Sequence, residues 1–208
     1  MRLFFIIIFY TGLTFGQQKP IVFYNEVGEE INQLEFLRSK DYSENLDLYF
    51  ENDTTQIGIL ITRQKFGHLD KKTFVNFKSY LSNISDKQID SSQNIVINYL
   101  TPLPKKVDNI KSKSSWNVLE KHYLRKLHKI ADINQFWITS PKSDNLNFYH
   151  NNKINWISDK DNLFKNLFFP YDVRYGNFIL IKPDGRYYYY LGEHSKYKIW
   201  EKAEKFFK

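Results

Sequence analysis

The stretch FKNLFFPYDVRYGNFILIKPDGRYYYYLG, residues 164–192, decides how this chain folds. It holds two β-rich runs, NFILI at 177–181 and RYYYYL at 186–191, separated by Lys182-Pro183-Asp184-Gly185. Proline presets φ early in a tight turn and glycine is free to take positive φ. The two runs are therefore expected to fold back as an antiparallel pair. On the returning strand Tyr187 and Tyr189 face one side and Tyr188 and Tyr190 the other. One pair is expected under a helix. The other is expected under a second helix or the N-terminal region, with an open tyrosine face for stacking as the alternative. Leu163, Phe164, Leu167 and Phe168 precede the strands at helical spacing, with Asp159 or Asp161 as cap and Pro170 as stop. After Gly192, Ser195 is the expected cap of a last helix with Ile199, Trp200, Ala203, Phe206 and Phe207 facing inward.

Working back toward the N-terminus, NIVINYL at 94–100 is a β-branched strand ended by Pro102 and Pro104. Residues 105–115 read as a basic loop. Ser114 or Ser115 then caps a helix to Ile130 that aligns Trp116, Leu119, Tyr123, Leu127 and Ile130. QFWIT at 135–139 is the next strand, and INWI at 154–157 is a short extended piece. The order from residue 94 is strand, helix, strand, helix, strand, turn, strand, helix. A strand–helix–strand unit crosses over right-handed and pairs parallel, whereas the final turn imposes an antiparallel pair. The fold class is therefore α/β, a mixed sheet with helices on its faces.

This β-α-β-α-β-β-α order, together with the quoted run, resembles the thioredoxin-like superfamily, in particular its secreted thiol–disulfide oxidoreductases. The resemblance covers residues 94–208 and implies a thioredoxin-like mixed sheet preceded by a β-rich N-terminal extension. The family places a Cys-x-x-Cys pair between the first strand and the first helix, where the helix N-terminus lowers a thiol pKa. Here that place reads PLPKKVDNIKSKSSW, residues 102–116, without sulfur, and the whole chain contains no cysteine. The family's cis-proline before the third strand is also replaced, by Gly176-Asn177. Dithiol exchange needs sulfur, so the resemblance implies the fold without the redox activity. It also places a contact surface where ligands meet this fold, at Lys105, Lys106, Lys113 and Trp116 together with Gly176 and Asn177. The lysines and the free N–H groups of the helix start are suited to an anion.

Residues 17–93 form the extension. IVFYN at 21–25 is a strand, Leu34, Phe36 and Leu37 mark a short helix, and residues 46–62 read as a hairpin turning at Asn52-Asp53. Asp70 caps a helix over 70–84 that aligns Phe74, Phe77, Leu81 and Ile84. The chain opens with MRLFFIIIFYTGLTFG, residues 1–16. Arg2, an apolar run too short to span a bilayer, and Thr14 and Gly16 before Gln17 make the pattern of a cleaved secretory signal peptide. The expected location is therefore periplasmic or extracellular. With 30 Lys+Arg against 23 Asp+Glu the net charge is +7. For an exported chain that balance points to an anionic surface or another envelope protein as partner rather than to nucleic acid. No membrane span is expected after cleavage.

Five histidines, at 68, 122, 128, 150 and 194, are the remaining chemistry-bearing residues. No pair has metal-ligand spacing, and His122 and His128 fall on different faces of their helix. Glu193-His194-Ser195 is a weak candidate for a proton relay, because chain neighbours seldom point at one another and no nucleophile elbow accompanies them. Asp41, Asp47, Glu51 and Asp53 lack the spacing of a calcium loop. The expectation is an exported, non-redox binding module without cofactor. The alternative is a hydrolase or metal-dependent enzyme using His194 or His150 with a nearby carboxylate, and a structural envelope protein is a third class.

Overall fold

The computed structural model describes residues 19–101, 113–141, 146–169, 171, 173 and 175–208. The segment 1–16, Lys105, Lys106 and the prolines at 102, 104 and 170 lie outside the described residues. The molecule is a mixed α/β protein whose chain divides into two compact units. One comprises residues up to Lys40 with Asp47–Ile61, the other Asp41–Leu46 with Thr62–Lys208.

The smaller unit is built on a four-stranded sheet. Strand β1 (Ile21–Tyr24) lies between β2 (Glu30–Ile31), antiparallel, and β4 (Gln56–Thr62), parallel, and β3 (Asn45–Glu51) follows at the far edge. Helix α1 (Gln33–Arg38) starts at Asn32, whose side chain accepts the Glu35 N–H at 2.9 Å. The helix drives Phe36 into full burial, 4.5 Å from the ring of Phe23.

The larger unit carries a six-stranded mixed sheet. Its strands are β5 (Gln64–His68), β6 (Asn94–Thr101), β7 (Ile133–Thr139), β8 (Ile157–Ser158), β9 (Tyr175–Ile181) and β10 (Arg186–Tyr190), in the spatial order β5-β10-β9-β6-β7-β8. β6 pairs parallel with β7 and antiparallel with β9, placing Val96 opposite Leu180 and Ile97 opposite Ile179. β9 and β10 are joined by the turn at Lys182–Gly185, closed by Gly185 N–H donating to the Lys182 carbonyl at 3.0 Å. Gly185 takes φ +90, as this turn requires.

Both faces of the sheet are covered. Helices α3 (His122–Ile130) and α5 (Lys196–Phe207) lie on one face, where Tyr123, Leu127, Ile199 and Ala203 pack on Val96, Phe178, Leu180 and Tyr188. Helices α2 (Lys71–Ser85) and α4 (Leu163–Phe168) serve the other, where Phe77 meets Phe164 at 5.5 Å and Phe168 meets Tyr187 at 5.0 Å. The four tyrosines of β10 are thus divided between two covered faces, and no open stacking platform forms. Asn98 sits inside the first face, accepting from the Tyr123 hydroxyl and from Gln135 Nε2, each at 3.0 Å.

Several local expectations are corrected. The helix expected from Ser114 or Ser115 begins only at His122. Ser114 Oγ instead accepts the Trp116 N–H at 3.2 Å, and a single 3-10 turn, Asn117–Leu119, follows. The reason lies across the site: Asn117 Oδ1 is engaged at 2.8 Å by the Lys196 N–H, so it caps α5. Ser195 holds the N-cap position there, but its side chain makes no capping bond. At α4 the expected cap holds: Asp159, three residues before the geometric N-cap Asn162, accepts the Phe164 N–H at 3.1 Å. Trp200 is only half-buried. Strand β5, from the expected extension, is hydrogen-bonded along β10.

Candidate functional site

A cavity of about 540 Å³ opens in the larger unit, beside the C-terminal end of β6 and the first residue pair of β9. Three chain segments meet there: residues 114–117 leading to α3, Gly176 in β9, and residues 193–195 between β10 and α5. In open α/β sheets this end of parallel strands is where ligands gather, because the diverging connections leave a crevice.

Trp116 is the pivot. Its Nε1–H donates to the His194 carbonyl at 2.8 Å, and its ring meets the His194 ring edge-to-face at 5.3 Å. The indole lies against Gly176, where a Cβ would overlap its six-membered ring. Glycine at this position is thus a steric requirement for the tryptophan. Asn177, next in β9, turns away from the cavity and is buried. Its Oδ1 accepts the Gly192 N–H at 2.7 Å and fixes the bend that carries His194.

His194 is 8% exposed. Its Nδ1 faces the Gly192 carbonyl at 2.9 Å, and a carbonyl only accepts, so Nδ1 carries the proton. The other nitrogen, Nε2, is buried without a hydrogen-bond partner among the described residues. Burial pushes the His194 pKa down to about 4, against the weaker upward pull of the backbone carbonyls. The imidazole is neutral at ordinary pH. The bend itself is held by Arg63, whose guanidinium donates to the carbonyls of Leu191, Glu193 and Tyr42 at 2.8, 2.5 and 2.6 Å.

The opposite wall is Phe148 and Tyr149, with rings at 4.9 Å. Backbone pairing ties this wall to the first segment: the Ser114 N–H donates to the Phe148 carbonyl at 2.9 Å, and His150 Nε2 donates to the Ser114 carbonyl at 3.0 Å. Lys113 lies outside the lining, its ammonium bound to the carbonyl and side-chain oxygens of Asn147. Of the six surface residues expected from sequence, Trp116 and Gly176 meet at the cavity. Asn177 supports it from beneath, Lys113 is bound nearby, and Lys105 and Lys106 are not described. Phe148 and Tyr149 were not expected, and Glu193 entered only as part of a weak proton relay. The Phe148-Tyr149 pair next to an Asn-rich break was the one available signal.

The alternative enzyme reading assigned a carboxylate to His194 or His150. Both imidazoles are bonded to backbone carbonyls instead. Among the described residues no three His, Asp or Glu side chains converge in a way that would hold a metal ion. No helix among them is long and apolar enough to cross a membrane.

No protein-family model and no curated protein matches the chain. Among solved structures it is similar to a secreted Mycobacterium tuberculosis disulfide oxidoreductase homologous to E. coli DsbE, at 12% identity over 55% of this chain and 82% of that one, with a TM-score of 0.34.

Proposed function

We propose that this chain is an exported, non-redox binding module of thioredoxin-like fold whose ligand occupies the Trp116–His194 cavity. The observation that carries the reading is the cavity itself: about 540 Å³, within the range of small-ligand sites, and walled by aromatic rings. The fold assignment is supported by the strand order β10-β9-β6-β7 with α3 and α5 on one face and α4 on the other. The non-redox part is supported by the absence of cysteine, without which dithiol exchange cannot occur. Export is supported by the pattern of residues 1–16.

The experiment is a fragment screen by ligand-observed NMR on the purified chain, repeated on Trp116→Ala and Gly176→Val. The valine forces the indole out of its seat. Aromatic and amphipathic fragments are expected to bind the native chain and to be lost in both variants. Hits indifferent to both variants, or no hits at millimolar concentration, overturn the reading.

An anionic surface is the partner class that suits the rest of the molecule. Lys121, His122, Arg125, Lys126, His128 and Lys129 are all exposed on or beside α3, which contains no acidic residue. Sedimentation with vesicles of anionic lipid, but not with zwitterionic ones, is the expected result. Equal recovery with both would remove this part of the proposal.

A further inference from the structure

The charge of the cavity runs against the charge of the chain. The protein carries a net +7, yet among the described residues the single formally charged side chain lining the cavity is Glu193. Its carboxylate is exposed, and no described cation pairs with it; Arg63 binds its backbone carbonyl instead. Lys113 is held away by Asn147. The imidazole of His194 is buried, and burial disfavours its charged form.

The walls share the same preference. Trp116, Phe148 and Tyr149 line the space, and aromatic rings attract cations at their faces, most strongly when the cation is desolvated. The indole N–H, the positive edge of Trp116, is spent on the His194 carbonyl, so the tryptophan offers its ring. An anion entering this space would meet a carboxylate and no described cation. A quaternary or primary ammonium would meet a carboxylate and aromatic side chains among the described lining residues.

We infer that the cavity selects an organic ammonium cation, of the size of choline or a methylated lysine side chain, between its aromatic walls and Glu193. This inference rests on the reading of the cavity as the binding site, and the test separates the two. The probes are choline, its uncharged isostere 3,3-dimethylbutan-1-ol, and acetate, titrated by calorimetry into the native chain, Glu193→Gln and Trp116→Ala. Choline is expected to bind at least ten-fold more tightly than the isostere, and acetate not at all. Glu193→Gln, a change at an exposed side chain that leaves the fold intact, is expected to shrink that preference several-fold, and Trp116→Ala to lose both ligands. Equal binding of choline and isostere, or preferential binding of acetate, overturns the charge selectivity. The cavity reading then survives if the fragments of the screen still depend on Trp116. If neither choline nor the isostere binds while those fragments do, the cation inference alone fails. If nothing binds, both fail.

Discussion

Acid should weaken this protein earlier than its carboxylates alone would make it do, and His194 is the reason. In the unfolded chain a histidine takes up its proton near pH 6.5. In the folded chain burial holds His194 down to about 4. Between those values only the unfolded state binds the proton, so stability falls as pH falls from about 6.5 to about 4. The full difference amounts to ~3 kcal/mol, and about 2 kcal/mol of it is spent between pH 7 and pH 4.5. For a chain of this size that corresponds to a drop in Tm of roughly 4–8 °C. The carboxylates held below their usual range, such as Asp70 with its Thr73 bonds and Asp184 beside Arg186, lose their contribution at lower pH. Asp159, whose carboxyl is pushed up by burial, acts in the opposite direction, because its folded form holds a proton more readily. The assay is urea unfolding from pH 7.5 to 4.5 on the native chain and on His194→Gln, with the imidazole titration followed by NMR. The glutamine variant should show a pH slope flatter by about 2 kcal/mol over that interval. A folded-state His194 that titrates near 6 or above, or identical slopes in the two chains, refutes the reasoning.

Three other outcomes are expected. Tyr123→Phe removes the hydroxyl that donates to buried Asn98 and should cost ~1–2 kcal/mol by denaturation; no measurable loss would mean that bond contributes nothing. Trp200→Ala should cost about 2 kcal/mol, less than the 3–5 kcal/mol of a fully buried ring, because Trp200 is half-buried with Nε1 bonded to the Tyr123 carbonyl at 3.2 Å. A loss at the upper end of that range would show the ring to be core. Insulin reduction should proceed at the background rate, since the chain has no thiol, and thiol-dependent turnover would contradict the non-redox assignment.

The parts of the fold legible in the sequence were those written by local rules. Asp70 before Phe74, Phe77 and Leu81 marks α2, and its carboxylate accepts the Thr73 N–H at 3.0 Å. Lys182–Gly185 between two apolar runs marks the β9–β10 turn. What escaped was decided by distant partners. Gln64–His68 contains one large apolar residue, Phe66, and that residue is 68% exposed, because β5 is an edge strand specified by the backbone of β10. The late start of α3 follows from Asn117 serving α5 across 79 residues of sequence. At the candidate site, the resemblance pointed to Trp116 and Gly176. Phe148 and Tyr149 arrive through backbone pairing with Ser114, which no periodicity encodes.

The order in which the sheet is assembled has a consequence for the nascent chain. β9 and β10 stand in the interior of the six-strand order, yet they are translated after every other strand. Until they emerge, nothing joins β5 to β6, and the faces that α2 and α3 must cover are incomplete. Contacts between residues so far apart in sequence form slowly. The core of the larger unit therefore cannot close until residues 175–190 have left the ribosome.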